Sequence, residues 1–366
     1  MNRHSIASRF KQPGLFQHGQ VLLKPALVTL GLLLHALPAA AQSPVIEEIV
    51  VTADFRQSAI DDIPASISVI DSKQIQQKNA LHLEDILSAA PNVNFASGAS
   101  RARFYQIRGI GERGQFTEPL NSSVGLLVDG VDFSGTAGAA MLYDMEQVEI
   151  LMGPQGTRYG SNALAGLINM QSRAPTADAQ YGMQLQGENF GGAGVAAHAS
   201  GPFNDALLYR MVVQSLQSDG FSNNLFLGQP TNQRSEQTLR GKLRWLVTDG
   251  ITLDLGTALM NSDNGYDAFS LDNVRDTLSD EPGFDRQDSR LGSLKLTLAN
   301  HATYTLEAIA SLTQTDTGYA YDEDWVYAGF HPDEYQSTDQ YYRGHRTANA
   351  ELRVLSTDAG ALFNSR

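Results

Sequence analysis

The chain has 366 residues, 42% hydrophobic and 18% charged, enough apolar matter for a real core and too ordinary a mixture for a disordered or collagen-like polymer. It has no cysteine, which excludes disulfide scaffolds, thiolate metal sites and cysteine nucleophiles. Asp plus Glu number 40 against 26 Lys plus Arg, a net charge of −14, so the chain lacks the clustered cations by which a general nucleic-acid binder neutralises phosphate.

The first forty residues read as an address. Arg3, Arg9, Lys11 and Lys24 precede an apolar run from Ala26 to Leu37, and small residues follow through Ala41. These are the three regions of a secretory signal peptide, with cleavage expected after Ala41. A transmembrane helix competes with that reading, but it needs about 20 apolar residues. Here the run is shorter and His35 interrupts it.

Residues 42–53 form a polar tail around Glu47, Glu48, Ile49, Val50, Val51, Thr52 and Ala53. The β-branched centre of that string is primed for strand addition to an exposed sheet edge, where main-chain hydrogen bonds supply affinity. The alternative is that it forms the first edge strand of the domain that follows.

From 54 to 175 the pattern is mixed and compact. Short apolar runs at Ala65 to Ile70, Gln106 to Ile110, Gly125 to Val131 and Val148 to Met152 predict strands. Leu83, Ile86, Leu87 and Ala90 share one helical stripe that Pro91 stops. A small α+β domain follows from this.

From 176 to 366 a two-residue alternation takes over. Leu239, Leu243, Trp245 and Val247 oppose Arg240, Lys242 and Arg244, and Leu294, Leu296 and Leu298 oppose Ser293, Lys295 and Thr297. Strands are expected near 181–187, 193–200, 206–216, 237–247, 251–261, 287–299, 302–315 and 342–355. The links between them run short and long in turn, except around Gly191 and Gly192, as in outer-membrane barrels with short periplasmic turns and longer outer loops. Tyr209, Trp245 and Tyr304 lie on the apolar face beside short turns, one edge of an aromatic girdle. A soluble sandwich would also alternate, and the loop lengths favour the barrel.

Several strings now resemble a known family. The tail from Glu47 to Ala53 resembles the TonB box of TonB-dependent outer-membrane receptors. Residues 63–70 (IPASISVI), 83–87 (LEDIL), 107–110 (IRGI), 128–131 (VDGV), 148–151 (VEIL), 153–157 (GPQGT) and 159–169 (YGSNALAGLIN) look like the successive blocks of that family's plug domain, in the family's order. The resemblance implies an α+β plug inside an antiparallel transmembrane barrel of 22 strands. It implies a siderophore-receptor-like importer in the outer membrane of a Gram-negative bacterium, energised through TonB and its inner-membrane complex, embedded in outer-membrane lipid and working as a monomer without a cofactor. Its ligand would be a ferric siderophore first, with cobalamin, haem or an oligosaccharide as alternatives. In the family an ion-pair latch joins plug to barrel; Arg108 matches it, Met152 stands where an arginine is usual, and Arg158 is a nearby substitute.

The residues themselves give further candidates. Arg101, Arg103, Phe104, Arg113, Gln115, Phe116 and Phe133 lie in the loops expected to face outward, and cations beside aromatics suit an anionic, partly aromatic chelate. The alternative is that these arginines pair with barrel carboxylates. The loop from Asp316 to Tyr341 is acidic and aromatic, suited to a cation or a sugar, or simply solvated. Gly109, Gly111 and Gly114 spell a dinucleotide fingerprint, but Pro119 and the absence of an apolar stripe after it deny the required helix, so tight turns are the expected use. No catalytic string occurs, so an enzyme is not expected.

Length sets one more expectation. At this spacing 22 strands need roughly 500 residues after the plug, so the reading is of the N-terminal part of a longer receptor, or of a truncated product that does not transport.

Overall fold

The computed structural model describes residues 50–52, 55–56, 58–60, 63, 65–114, 121–267, 269–333 and 335–357. The signal segment, and Glu47, Glu48, Ile49, Ala53, Gln115 and Phe116 among the expected site residues, lie outside the described residues.

The first part of the chain builds the α+β domain. β1 (Val50–Val51) pairs antiparallel with β2 (Ser58–Ala59). Then come β3 (Ser66–Asp71), α1 (Ser72–Gln77), α2 (Leu83–Leu87), β4 (Val93–Phe95), β5 (Tyr105–Ile107), β6 (Val124–Val128), β7 (Val131–Asp132), β8 (Met145–Met152), α3 (Gly156–Tyr159) and β9 (Gly166–Ser172). A five-stranded sheet runs β3-β8-β9-β6-β7, with β6 and β9 parallel and its other pairs antiparallel. Its centre is apolar on both faces: Val148, Ile150, Leu151, Leu167, Ile168 and Met170 are fully buried.

Local chemistry sets the helix ends. Asp71 accepts from the Gln74 amide at 2.7 Å while the Gln74 side chain accepts from the Asp71 amide, a capping box that opens α1, which the sequence reading missed. The stripe expected to run to Ala90 stops as helix at Leu87. Ala89 and Ala90 donate three residues back, to Ile86 and Leu87, so the last turn tightens, because the ring of Pro91 disfavours helical geometry at the residue before it. Ala90 stays buried all the same.

The second part is a single eight-stranded antiparallel sheet: β10 (Gln180–Gly187), β11 (Ala193–Asn204), β12 (Leu207–Ser218), β15 (Arg234–Thr248), β16 (Ile251–Tyr266), β18 (Gly283–Leu298), β19 (Tyr304–Asp322) and β20 (Thr338–Ser356). All eight expected strands are present, and several extend further at their long-loop ends. The expected loop Asp316 to Tyr341 contracts to 323–337, because β19 and β20 stay paired from Tyr304↔Ser356 out to Asp322↔Thr338. Two long loops contribute a small outer sheet of β13 (Ser222–Asn224), β14 (Gln229–Thr231) and β17 (Asp276–Thr277). Among the described residues β10 and β20 do not pair with each other, so the sheet is an open barrel wall.

The two faces of this wall are inverted relative to a water-soluble sandwich. Leu243, Leu255 and Leu294 stand in register across three strands and are 37%, 47% and 44% exposed, while Glu236, Thr238 and Arg240 on the other face are buried against the plug. An apolar outside and a polar inside belong to a sheet whose outer solvent is lipid. At the short-turn end Trp245 and Tyr304 are half-exposed and Tyr209 stacks on Phe203 at 4.5 Å, as the girdle predicts.

Candidate functional site

The plug meets the wall through ion pairs. Arg101, expected to face a ligand, is buried and forks onto Glu236 of β15, with Nε to Oε1 and Nη2 to Oε2 both at 2.8 Å. Its third nitrogen donates to Glu84 of α2 at 2.6 Å, and the other Glu84 oxygen accepts from the Ala102 amide at 3.0 Å. Burial opposes the charge on Arg101, but Glu236 and Glu84 outweigh it and push its pKa up. Arg103 pairs with Asp285 of β18 through Nη2 alone, and the second Asp285 oxygen accepts from the Ser100 amide and hydroxyl. The two-pronged geometry at Arg101, and the extra donors at both carboxylates, let such pairs survive burial.

His82 completes this corner. It caps α2 by accepting from the Glu84 amide at Nδ1, and Nε2 lies 3.0 Å from the Ala137 carbonyl, which that nitrogen's hydrogen satisfies. This bonding pattern assigns a neutral ring, and burial followed by the charge of Arg101 lowers the pKa. Glu84 is pushed up by burial, but the Arg101 guanidinium and the Ala102 amide outweigh that and hold it below the ordinary carboxylate value.

Further down the wall, Arg210 of β12 clamps Asp144, with Nε to Oδ2 at 2.7 Å, and Arg240 reaches the Tyr143 carbonyl and the Met145 sulfur. Lys242 bridges Asp129 and the Ser172 carbonyl at 2.9 Å each. The arginines on β12 and β15 show in the sequence only as polar-face residues; their partners on the plug become visible once the sheet encloses it.

This arrangement corrects the sequence reading. Arg101 and Arg103 are spent on the wall, and Phe104 and Phe133 are 5% and 1% exposed in the plug, so none of the four presents a ligand-facing surface. The alternative, pairing with barrel carboxylates, is what the geometry delivers. Arg108, expected in the latch, is exposed at a left-handed position (φ 53°) after β5, and among the described residues it makes no ion pair with the wall. Arg158, also expected there, is exposed on α3 and lines a cavity with Lys295, Glu307 and Arg353 of the wall. Arg113 is exposed in the loop after Gly111. Gly111 sits at φ +148°, where a Cβ would lie 2.2 Å from the Tyr105 carbonyl oxygen, so it serves a close backbone approach, while Gly109, at φ +79° in open space, serves the turn.

The long-loop end carries the aromatic surface. Phe269 stacks on Trp325 at 4.9 Å, Phe226 on Tyr327 at 4.8 Å, and Tyr266, Tyr319, Tyr321 and Tyr341 adjoin one another beneath. Tyr319 reaches down to donate to the Gly98 carbonyl at 2.7 Å, tying the outer wall to the plug loop that carries Arg101 and Arg103.

The tail is seated at the opposite end. Arg353 lies over the Phe55 ring at 3.9 Å and Arg56 donates to Ser356, both wall residues beside the short turns. Val51 is fully buried with Leu127, Leu151, Ala163 and Leu167. At Val50, Val51 and Thr52 the tail is paired inside the domain, the edge-strand alternative of the sequence reading: the first two pair with β2, and Thr52 is held by Glu149 of β8, amide to Oε1 at 2.7 Å. Burial of a β-branched, apolar strand outweighs its exposure to solvent.

Comparison with known proteins places this geometry. Residues 59–167 match the family model "TonB-dependent Receptor Plug Domain". The chain is 30% identical over 227 residues to a vitamin B12 transporter, BtuB, of Vibrio vulnificus strain YJ016, covering 60% of this chain and 36% of that protein. It is 29% identical over 192 residues to the pesticin receptor of Yersinia pestis, covering 52% of this chain and 28% of that protein. The fold resembles the ferric yersiniabactin uptake receptor FyuA of Yersinia pestis, with TM-score 0.61 and 20% identity over 70% of this chain and 42% of that one. The chain thus spans about a third of the length of the curated relatives it matches. Plug-domain match, relatives and a plug held against lipid-facing strands agree: residues 59–167 are a TonB-dependent receptor plug domain, and the eight antiparallel strands that follow have the fold of part of such a receptor's barrel.

Proposed function

We propose that this chain is the plug-bearing part of an outer-membrane receptor that imports a scarce ligand, with energy delivered through TonB to the tail from Glu47 to Ala53. The observation that carries the reading is the plug itself: a folded domain held by buried ion pairs against the polar face of a lipid-facing wall obstructs passage, so transport requires work done on it. The tail lies at the short-turn end of the wall, the periplasmic side in barrels of this kind, where an inner-membrane partner can reach it. The ion pairs of Arg101 and Arg103 then form the latch in place of Arg108, with Arg158 beside the wall.

A ferric siderophore is the preferred ligand. The stacked aromatics at the long-loop end suit planar catecholate groups, and the similar structures include a ferric-catecholate import receptor, Fiu of E. coli. Cobalamin is the second reading, favoured by the similarity to the Vibrio transporter. Deleting residues 47–53 in the source cell and following radiolabelled iron, supplied with siderophores, and radiolabelled cobalamin in parallel tests both. Loss of one uptake with surface binding retained supports the reading and names the ligand class. Undiminished uptake of both overturns it.

A further inference from the structure

A strand that is to accept a partner needs one edge with free amide and carbonyl groups, and here that edge is already occupied. Backbone groups of alternate residues on a strand point to the same side, so the Val50 carbonyl and the Thr52 amide share one edge of β1. The opposite edge faces β2, through the pairs Val50↔Ala59 and Val51↔Ser58. On the first edge the Gln147 amide donates to the Val50 carbonyl at 3.2 Å, and the Glu149 carboxylate accepts from the Thr52 amide at 2.7 Å. Gln147 and Glu149 are two apart on β8 and project from one face of it, so a donor and an acceptor are presented at strand spacing.

We infer that Gln147 and Glu149 act as a side-chain imitation of a neighbouring strand, capping the edge of β1 to which a partner strand would add and keeping the tail seated until they let go. The inference rests on the reading of the tail as the TonB-binding element.

Three features mark the arrangement as built. Glu149 is fully buried and among the described residues has no cation within ion-pair distance. Its charge is instead met by neutral donors: the Thr52 amide and hydroxyl, Gln147 at 2.7 Å, Gln171 at 3.0 Å and Asn169 at 3.1 Å. Gln147 bonds Val50 and Glu149 together, so one side chain joins both halves of the cap. Thr52 is tied a second time, its hydroxyl taking a bond from Gln171. A buried acid dressed only in amides and a hydroxyl has the directionality of a backbone group and a stronger acceptor. It holds a strand by its edge without burying a second charge, and it can be exchanged for a real strand without leaving a cation unpaired.

These 366 residues hold no cysteine, so labels can be placed singly once any cysteine elsewhere in the receptor is replaced by serine. A nitroxide on Val50→Cys reports tail mobility in the full receptor in detergent, and a second on Gln76→Cys reports whether the plug as a whole has loosened. Gln147→Leu removes one half of the cap at a half-exposed position, and Glu149→Ala removes the other. The expected result is a mobile Val50 label in both variants with the Gln76 label unchanged. Affinity for the isolated periplasmic domain of TonB, measured without import ligand, should rise about tenfold, the effect of one charge-assisted hydrogen bond. A Val50 label that stays immobile in Gln147→Leu, or that moves only when the Gln76 label does, overturns the inference. A freed Val50 label with no gain in TonB affinity leaves the cap standing and overturns the reading of the tail as the TonB-binding element.

Discussion

Arg101 of the plug and Glu236 of the wall, 135 positions apart in sequence, meet in a two-pronged pair with both bonds at 2.8 Å and almost no solvent access to either side chain. Asn264 steadies the carboxylate from the neighbouring strand at 2.9 Å, and Glu84 holds the other side of the guanidinium. The plug is therefore fixed to the wall by a bond that is strong while intact and costly to half-remove.

Glu236→Ala, which strands a buried guanidinium, should destabilise plug docking by about 3–5 kcal/mol. Arg101→Met combined with Glu236→Leu should recover part of that loss, because both charges of the pair are then gone while Glu84, without its guanidinium, keeps the Ala102 amide. Denaturant unfolding followed by a label on the plug reads both variants, and equal losses in the single and double variants would contradict the assignment.

Lys242 with Asp129 provides the contrast. Both side chains are about a fifth exposed, so water takes up part of the lost interaction and Lys242→Gln should cost about 1.5–3 kcal/mol in the same assay, less than Glu236→Ala.

Acid should loosen the corner around His82. Its folded pKa lies below the ordinary 6.5, so the unfolded chain binds the extra proton first, and this stability is present above about 6.5 and lost as pH falls from there toward the folded value. Glu84 is likewise depressed from 4.5, so its contribution holds above that value and disappears as pH falls through its folded pKa. Thermal unfolding against pH should show two successive declines on acidification. His82→Asn, which can keep the cap bond, should remove the upper one; an unaltered profile would show that His82 does not titrate on unfolding.

On the outer face, Leu255→Arg should cost about 2–4 kcal/mol, the penalty for a cation at mid-membrane depth, and should lower the amount of receptor assembled in outer membranes. A change of Thr252 to Arg, on the inward-facing parity of the same strand, should be tolerated better. Urea unfolding in detergent and heat-modifiable mobility on gels compare the two.

Gly111→Ala should destabilise the plug, since the added carbon falls 2.2 Å from a main-chain oxygen at a left-handed φ. A cost of about 1–3 kcal/mol is expected from the strained backbone alone. No nucleotide affinity should be found in either protein by calorimetry.

The sequence by itself determined what is local and periodic. Alternation fixes which face of each wall strand is apolar, so the eight strands and their inverted faces were legible from residues such as Leu243 against Arg240. The succession of plug motifs and the short and long links were legible for the same reason: turn and strand chemistry acts over a few residues. Pairing across the fold was not legible, because the alphabet of charges does not say which carboxylate an arginine will meet. Arg101 and Arg103 look like ligand cations until β15 and β18 bring Glu236 and Asp285 against them. Val50 to Thr52 looks like a free strand until β8 supplies Gln147 and Glu149 nearly a hundred positions away. Strand propensity and side-chain charge are carried by each residue, whereas an occupied edge or a neutralised cation is a property of two segments, and only the tertiary structure brings the second segment into reach.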